Sequence, residues 1–102
     1  MQFDYKHSMD VAEVRERLGV LGEYLQNRHG IAVKWTDDVG SIDGKYMMIK
    51  IEGKLQIQPS NVHFEGRDPG MLWRKKAIKY LQEKLDIYLD AGTPVDQLPR
   101  NA

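Results

Sequence analysis

Cysteine is absent from the 102-residue sequence, which excludes disulfide bonds, thiolate nucleophiles and zinc sites with cysteine ligands. An excess of charge of one sign is also absent, because 15 basic residues balance 15 acidic ones and leave no net field to attract nucleic acid or anionic lipid. No apolar run approaches the roughly 20 residues that a membrane-spanning helix needs, and the first residues lack the pattern of a secretory signal peptide. We therefore expect one soluble, cytoplasmic domain without a membrane span.

The sequence also lacks the motifs of common enzymes. It has no glycine-rich phosphate loop, no dinucleotide-binding fingerprint and no nucleophile elbow. The histidines His7, His29 and His63 have no second histidine or carboxylate at metal-ligand spacing, and the acidic pair Asp37-Asp38 matches no calcium-loop pattern. We therefore expect no catalytic residues, no metal site and no cofactor, and hence a protein that is not an enzyme.

Hydrophobic periodicity predicts five short strands and two helices. In chain order, the predicted elements are a strand at 2–6, a helix from Val11 to 27–30, strands at 31–35, 46–51, 54–58 and 62–65, and a helix over 71–89. Asp10 and Glu13 are spaced to form a capping box at the start of the first helix. Gly30 is placed to end that helix in a left-handed conformation.

The order β-α-β-β-β-β-α, with strands that each have one apolar and one polar face, predicts an α+β fold. We expect a two-layer sandwich in which a mostly antiparallel sheet carries both helices on one face. The domain is predicted to span residues 1–90. Residues 91–102 contain two prolines and no periodicity, and they are expected to form a loose tail.

Two segments between the predicted strands are rich in turn-forming residues. Residues 36–44 are predicted to form an irregular loop. Gly53 follows Glu52 between two alternating runs, and it is predicted to take a positive φ in a two-residue hairpin turn. Replacement of Gly53 by valine is therefore expected to destabilise the hairpin.

Two further residues are predicted to be structural. Trp35 shares the inward side of its strand with Ile31 and Val33, so we expect its side chain in the core. His7 lies between the first strand and the first helix, and no chemical role follows from its position. Both residues are therefore assigned to the framework of the domain.

The second helix has a wider apolar surface than one core contact requires. The arc predicted to face the core consists of Met71, Ile78, Leu81, Leu85, Tyr88 and Leu89. Trp73, Tyr80 and Ile87 recur every seven residues on a different side of the helix. We expect these residues, with Ala77 and Lys84, to form a partner interface, most simply that of a homodimer, because aromatic residues are favoured interface anchors. The alternative within one chain is that the tail folds over the stripe formed by Trp73, Tyr80 and Ile87.

A basic cluster on the same helix gives an alternative function. Arg74, Lys75, Lys76 and Lys79 lie beside Trp73, and such a cluster can follow a nucleic-acid backbone while the aromatic ring stacks on a base. A solvated helix face explains the same residues more simply, and the neutral chain favours that explanation. Nucleic-acid binding is therefore the alternative to partner binding.

Several features occur together within residues 1–90. They are His7 before the first helix, Trp35 followed by an acidic turn, Gly53 before a strand, and a closing helix that follows a strand. With these features the chain resembles the polyhydroxyalkanoic acid system family, small proteins associated with bacterial polyester storage-granule genes. The resemblance implies a non-enzymatic accessory protein near the granule surface, with the granule or its proteins as partners. Residues 36–44 and the tail depart from the family pattern.

Overall fold

The computed structural model describes residues 1–101, and Ala102, the last residue of the predicted tail, lies outside them. The elements in chain order are β1 (Gln2–Lys6), α1 (Val11–His29), β2 (Ala32–Thr36), β3 (Val39–Tyr46), β4 (Ile49–Ile57), β5 (Asn61–Gly66), α2 (Met71–Tyr88) and a short 3-10 helix (Val95–Gln97). The five strands form one antiparallel sheet in the order β1-β5-β4-β3-β2. The predicted α+β fold and element order are confirmed. The predicted bounds of two strands are wrong, because the strands expected at 46–51 and 54–58 belong mainly to the single strand β4.

The sheet has one apolar face and one polar face. In β4, Leu55 and Ile57 are buried whereas Lys54 and Gln56 are exposed, as the alternation predicts. Both helices pack on the apolar face, and the core lies between them and the sheet. Its buried side chains are Val14, Leu18, Val20, Leu21, Leu25, Ile31, Ile42, Leu55, Ile57, Val62, Phe64, Leu85, Tyr88 and Leu98.

The prediction of an irregular loop at 36–44 is wrong, because these residues belong to a hairpin. β2 turns at Asp37-Asp38 directly into β3, and the two strands pair along their length. The alternation of β3 is hidden in the sequence because Gly40 and Gly44 occupy inward positions, where large neighbouring side chains cover them. A pattern search for apolar residues therefore finds no strand there.

The prediction of a turn at Gly53 is also wrong. Gly53 lies inside β4 and pairs with residues of both β3 and β5. Among the described residues, the glycines with positive φ are Gly30 and Gly70. A Cβ atom at Gly53 would lie 2.9 Å from Cε1 of Phe64. Glycine is therefore required by the close approach of the Phe64 ring, and not by an unusual backbone conformation.

The two ends of α1 differ in how well the sequence predicts them. The helix begins at Val11, as predicted. The prediction of a capping box is wrong, because in the described part of the chain the Asp10 side chain makes no hydrogen bond to the helix amides. The helix ends at Gly30, whose φ is 69° and whose N–H donates to the carbonyl of Gln26 at 3.0 Å. This left-handed glycine turns the chain directly into β2, as predicted.

The tail packs against the helices, so the prediction of a loose tail is wrong over 91–101. Leu98 is 4% exposed and belongs to the core. The hydroxyl of Tyr88 donates to the carbonyl of Pro99. The 3-10 helix contacts α1, and the tail therefore lies along α1 and the end of α2.

A buried arginine joins α1 to the end of α2. Arg17 is 4% exposed, and its guanidinium donates to the carbonyls of Tyr88, Asp90 and Thr93 at 3.2, 3.0 and 2.7 Å. Hydrogen bonds from a charged donor are stronger than those between neutral groups. The three bonds therefore fix the last turn of α2 and the start of the tail.

Candidate functional site

α2 is packed along its second half and exposed along its first. Leu85 and Tyr88 are each 1% exposed, whereas Met71 and Leu72 are 84% and 86% exposed. The prediction that Met71 faces the core is therefore wrong. The first half of the helix instead borders a cleft.

An apolar cleft of about 320 Å³ lies between the first half of α2 and the inner face of the sheet. Its floor is formed by Ile42, Ile49, Ile51 and Phe64 of the sheet, and its wall by Trp73, Ala77, Tyr80 and Leu81 of α2. β4 extends past the end of β5 here, because the pairing of the two strands stops at Gly53 and Gly66. The extension carries apolar side chains on the inner face, and α2 passes over it without closing on it.

Two exposed methionines, Met47 and Met48, form the tip of the β3–β4 hairpin beside this cleft. They make a two-residue turn, because Tyr46 pairs with Ile49. Their φ angles are 49° and 70°, in the left-handed region where such turns usually hold asparagine and glycine. This conformation costs a residue with a side chain roughly 1–2 kcal/mol. The two side chains, which we call the methionine tip, are 68% and 97% exposed.

The exposed start of α2 lies at the same end of the molecule as the methionine tip. Met71 and Leu72 directly precede Trp73, which lines the cleft together with Tyr46 and Ile49 of the hairpin. The exposed side chains of both elements are therefore close in sequence to residues that line the cleft. The sequence prediction missed the tip, because neither methionine is a turn-forming residue.

Three aromatic side chains meet on one side of the cleft. The ring of His29 packs against those of Tyr46 and Tyr80, at centroid distances of 5.4 and 5.8 Å. Its Nε2 lies 3.0 Å from the hydroxyl oxygen of Tyr80. Burial, with the nearby charges of Arg28 and Lys84, lowers the pKa of His29, and burial raises the pKa of Tyr80 to about 12. Both groups are therefore uncharged near neutral pH, and each is the hydrogen-bond partner of the other.

The structure brings three of the five predicted interface residues together. Trp73, Ala77 and Tyr80 line the helix side of the cleft. The ammonium of Lys84 lies 5.4 Å from the ring centroid of Tyr80, and Ile87 is 46% exposed near the other end of the helix. The stripe is therefore a cleft wall rather than one outward surface. No described residue of the tail lines the cleft, so the tail does not fold over it.

The four residues of the predicted nucleic-acid patch differ in their surroundings. Arg74 pairs with Asp68, which precedes α2, and Lys79 pairs with Glu83 within α2. Lys76 lies on the rim of the cleft, and Lys75 is exposed. Two of the four predicted cations are therefore paired with carboxylates, and Lys75 and Lys76 have no salt bridge within residues 1–101.

The residues predicted to be structural lie in well-defined contacts. Nδ1 of His7 accepts a hydrogen bond from the N–H of Met9 at 3.2 Å, so Nε2 carries the proton and donates to the carbonyl of Gln58 at 2.8 Å. Trp35 is half-buried beneath the guanidinium of Arg15, which lies 4.1 Å from the ring centroid. Within residues 1–101, no three acidic or histidine side chains converge on a metal-sized site. The same range contains no helix long and apolar enough to cross a membrane.

The geometry defines a small α+β module with an open apolar cleft between a helix and a sheet. A family model described as "Putative polyhydroxyalkanoic acid system protein" matches residues 1–91. The chain therefore belongs to this family, as its sequence features predicted. The matched range contains both α-helices, the whole sheet and the cleft. No curated protein and no solved structure matches the chain.

Proposed function

We propose that the protein is a non-enzymatic accessory component of the polyhydroxyalkanoic acid system that binds an apolar partner through the cleft and its mouth. The observation that carries the proposal is an open apolar cleft whose lining residues directly adjoin exposed apolar residues in the sequence. Tyr46 and Ile49 flank Met47 and Met48, and Trp73 follows Met71 and Leu72. Monomeric proteins rarely leave a large apolar patch without a partner. This end of the molecule is therefore the surface on which we expect binding.

The polyester surface of a storage granule is the partner we propose. The family model carries the description "Putative polyhydroxyalkanoic acid system protein". A polyester of aliphatic hydroxy acids presents an apolar surface of no fixed shape. Methionine suits such a surface, because its side chain is flexible and polarizable and adapts to irregular contacts. The methionine tip also keeps a strained backbone conformation, and such strain persists most often at functional sites.

The polar groups at the cleft support binding rather than catalysis. His29 and Tyr80 bond to each other, and Lys50 pairs with Glu52 at 2.7 Å. The described lining also includes no serine, threonine or aspartate that these groups could activate. These pairings leave the apolar lining, with the exposed Arg67 and Lys76 at its edge, as the features that a ligand would meet.

Co-sedimentation with particles of poly(3-hydroxybutyrate) tests the proposal. The double variant Met48→Ser/Leu72→Ser removes two exposed apolar side chains without touching the core, and it should bind at least about tenfold more weakly. The matched control Ile87→Ser removes an exposed apolar side chain far from the cleft, and it should bind like the wild type. Equal binding by all three proteins, or no binding by the wild type, would contradict the proposal.

We also propose that two copies pair through this surface when no polymer is present. The methionine tip adjoins the cleft. A two-fold axis at this side of the molecule would let the tip of each copy enter the cleft of the other copy. Sedimentation at micromolar concentration should show a homodimer. Tyr80→Glu places a charge in the cleft and should give a monomer with an unchanged circular dichroism spectrum. A monomeric wild type would refute the pairing without affecting the co-sedimentation test.

A further inference from the structure

The rim of the cleft is cationic although the chain as a whole is neutral. Lys50, Arg67 and Lys76 lie on the rim together with one carboxylate, that of Glu52. Lys50 and Glu52 pair at 2.7 Å and neutralise each other. Within residues 1–101, neither Arg67 nor Lys76 forms a salt bridge, so two positive side chains remain at the mouth, in addition to the ammonium of Met1 that donates to the carbonyl of Gly66.

These two cations stand beside the apolar lining. The ammonium of Lys76 lies 5.2 Å from the ring centroid of Trp73. The backbone N–H of Arg67 donates to the carbonyl of Glu52 at 2.9 Å, which holds Arg67 next to the strand that carries Ile51. Lys76 therefore lies next to the helix side of the apolar lining, and Arg67 lies next to its sheet side.

We infer that the cleft binds an aliphatic carboxylate, with the chain on the apolar lining and the carboxylate at Arg67 and Lys76. A volume of about 320 Å³ is at the lower end of the range for small-molecule sites, which suits a short acyl chain better than a helix of another protein. A guanidinium can hold a carboxylate through two parallel hydrogen bonds. The inference rests on the proposed function, since a hydroxyalkanoic acid and the free end of its polymer both belong to this chemical class.

Binding of sodium octanoate and of 1-octanol to the full chain tests the inference. The readouts are the fluorescence of Trp73 in a Trp35→Phe background and the amide NMR shifts. Octanoate should bind saturably and at least about tenfold more tightly than octanol, which has the same chain length but no charge. Arg67→Gln and Lys76→Gln should each bring the affinity for octanoate toward that for octanol. Lys79→Gln, at an exposed position outside the cleft, should leave it unchanged.

Three outcomes would overturn the inference. They are equal affinities for octanoate and octanol, the absence of saturable octanoate binding, and amide shifts confined to residues outside the cleft. Co-sedimentation of the same proteins with polyester particles separates this inference from the proposed function. If particles are bound but octanoate is not preferred, the carboxylate site fails and the proposed function stands. If neither is bound, both fail.

Discussion

The two halves of α2 differ in packing although they share one helical pattern. The second half places Leu85 and Tyr88 in the core, and the hydroxyl of Tyr5 in β1 donates to Asp86 on its flank. The first half exposes Met71 and borders the cleft. A helical pattern therefore indicates which face is apolar, whereas the neighbouring elements decide how much of that face is covered.

The difference follows from the neighbours of each half. Around the end of α2, Arg17 and the tail make hydrogen bonds that fix the backbone, and Leu98 adds apolar contact. Around the start, the helix passes over the extension of β4 with a cleft between them. The incompletely packed half is the part that remains available to a partner, and such regions are common at binding sites.

The largest expected effect is on core packing at the second half of α2. Leu85→Ala should lower the free energy of unfolding by about 2–5 kcal/mol, because Leu85 is almost fully buried. The matched change Leu72→Ala in the first half should alter it by less than about 0.5 kcal/mol. Urea unfolding measures both values. Similar losses for the two variants would contradict the difference between the halves.

Removal of the buried arginine should have the next largest effect. Arg17→Met leaves the carbonyls of Tyr88, Asp90 and Thr93 without their charged donor, which should cost about 1–3 kcal/mol. Hydrogen exchange should accelerate at residues 88–98 and stay unchanged at 71–81. Arg28→Met, an exposed arginine of the same helix, is the control and should behave like the wild type. Faster exchange at 71–81 in Arg17→Met would show that the halves are not independent.

Replacement of the methionine tip should separate stability from binding. Met47→Asn/Met48→Gly supplies the residues that this turn conformation favours, so the free energy of unfolding should rise by about 1 kcal/mol. The same variant loses two exposed apolar side chains and should co-sediment less with polyester particles. Urea unfolding and co-sedimentation provide the two measurements. A less stable variant would show that the turn at Met47 and Met48 is not strained. A variant that binds particles as well as the wild type would show that the two side chains do not contribute to binding.

The smallest expected effect is a pH dependence at the His29 and Tyr80 contact. Because burial and the charges of Arg28 and Lys84 lower the pKa of His29 from its ordinary value of 6.5, the folded state binds fewer protons than the unfolded state just below that pH. The stabilisation is therefore present above pH 6.5 and is lost as the pH falls through the lowered pKa of the folded state. From about pH 7.5 to about pH 5.5, wild-type stability should fall more than that of His29→Gln. Equal losses would contradict this.

The sequence predicts the elements whose local patterns are complete. Leu55 and Ile57 alternate with polar residues in β4, and Gly30 stands where a helix ends, so both features are recognised without the structure. β3 was missed because Gly40 and Gly44 replace apolar residues at inward positions. Where a large neighbouring side chain covers a glycine, the pattern of the strand is incomplete and only the pairing reveals it.

The cleft could be anticipated only in part. The recurrence of Trp73 and Tyr80 every seven residues indicated more apolar helix surface than a core needs, and the structure places both residues in the cleft. Met47 and Met48 gave no turn signal, because the bulky side chains are disfavoured in the conformation they adopt. The open space itself depends on where β5 ends relative to β4, which is a property of strand register and is not contained in any one segment.

Hydrogen–deuterium exchange with and without polyester particles is the most direct test of the central claim, that the methionine tip and the first half of α2 form the binding surface. We predict slower exchange at residues 46–50 and 71–81 when particles are present, because binding would cover this end of the molecule. Exchange at residues 83–89 should not change. Protection over 83–89 or over the polar face of the sheet, or no protection at 46–50 and 71–81, would contradict the account.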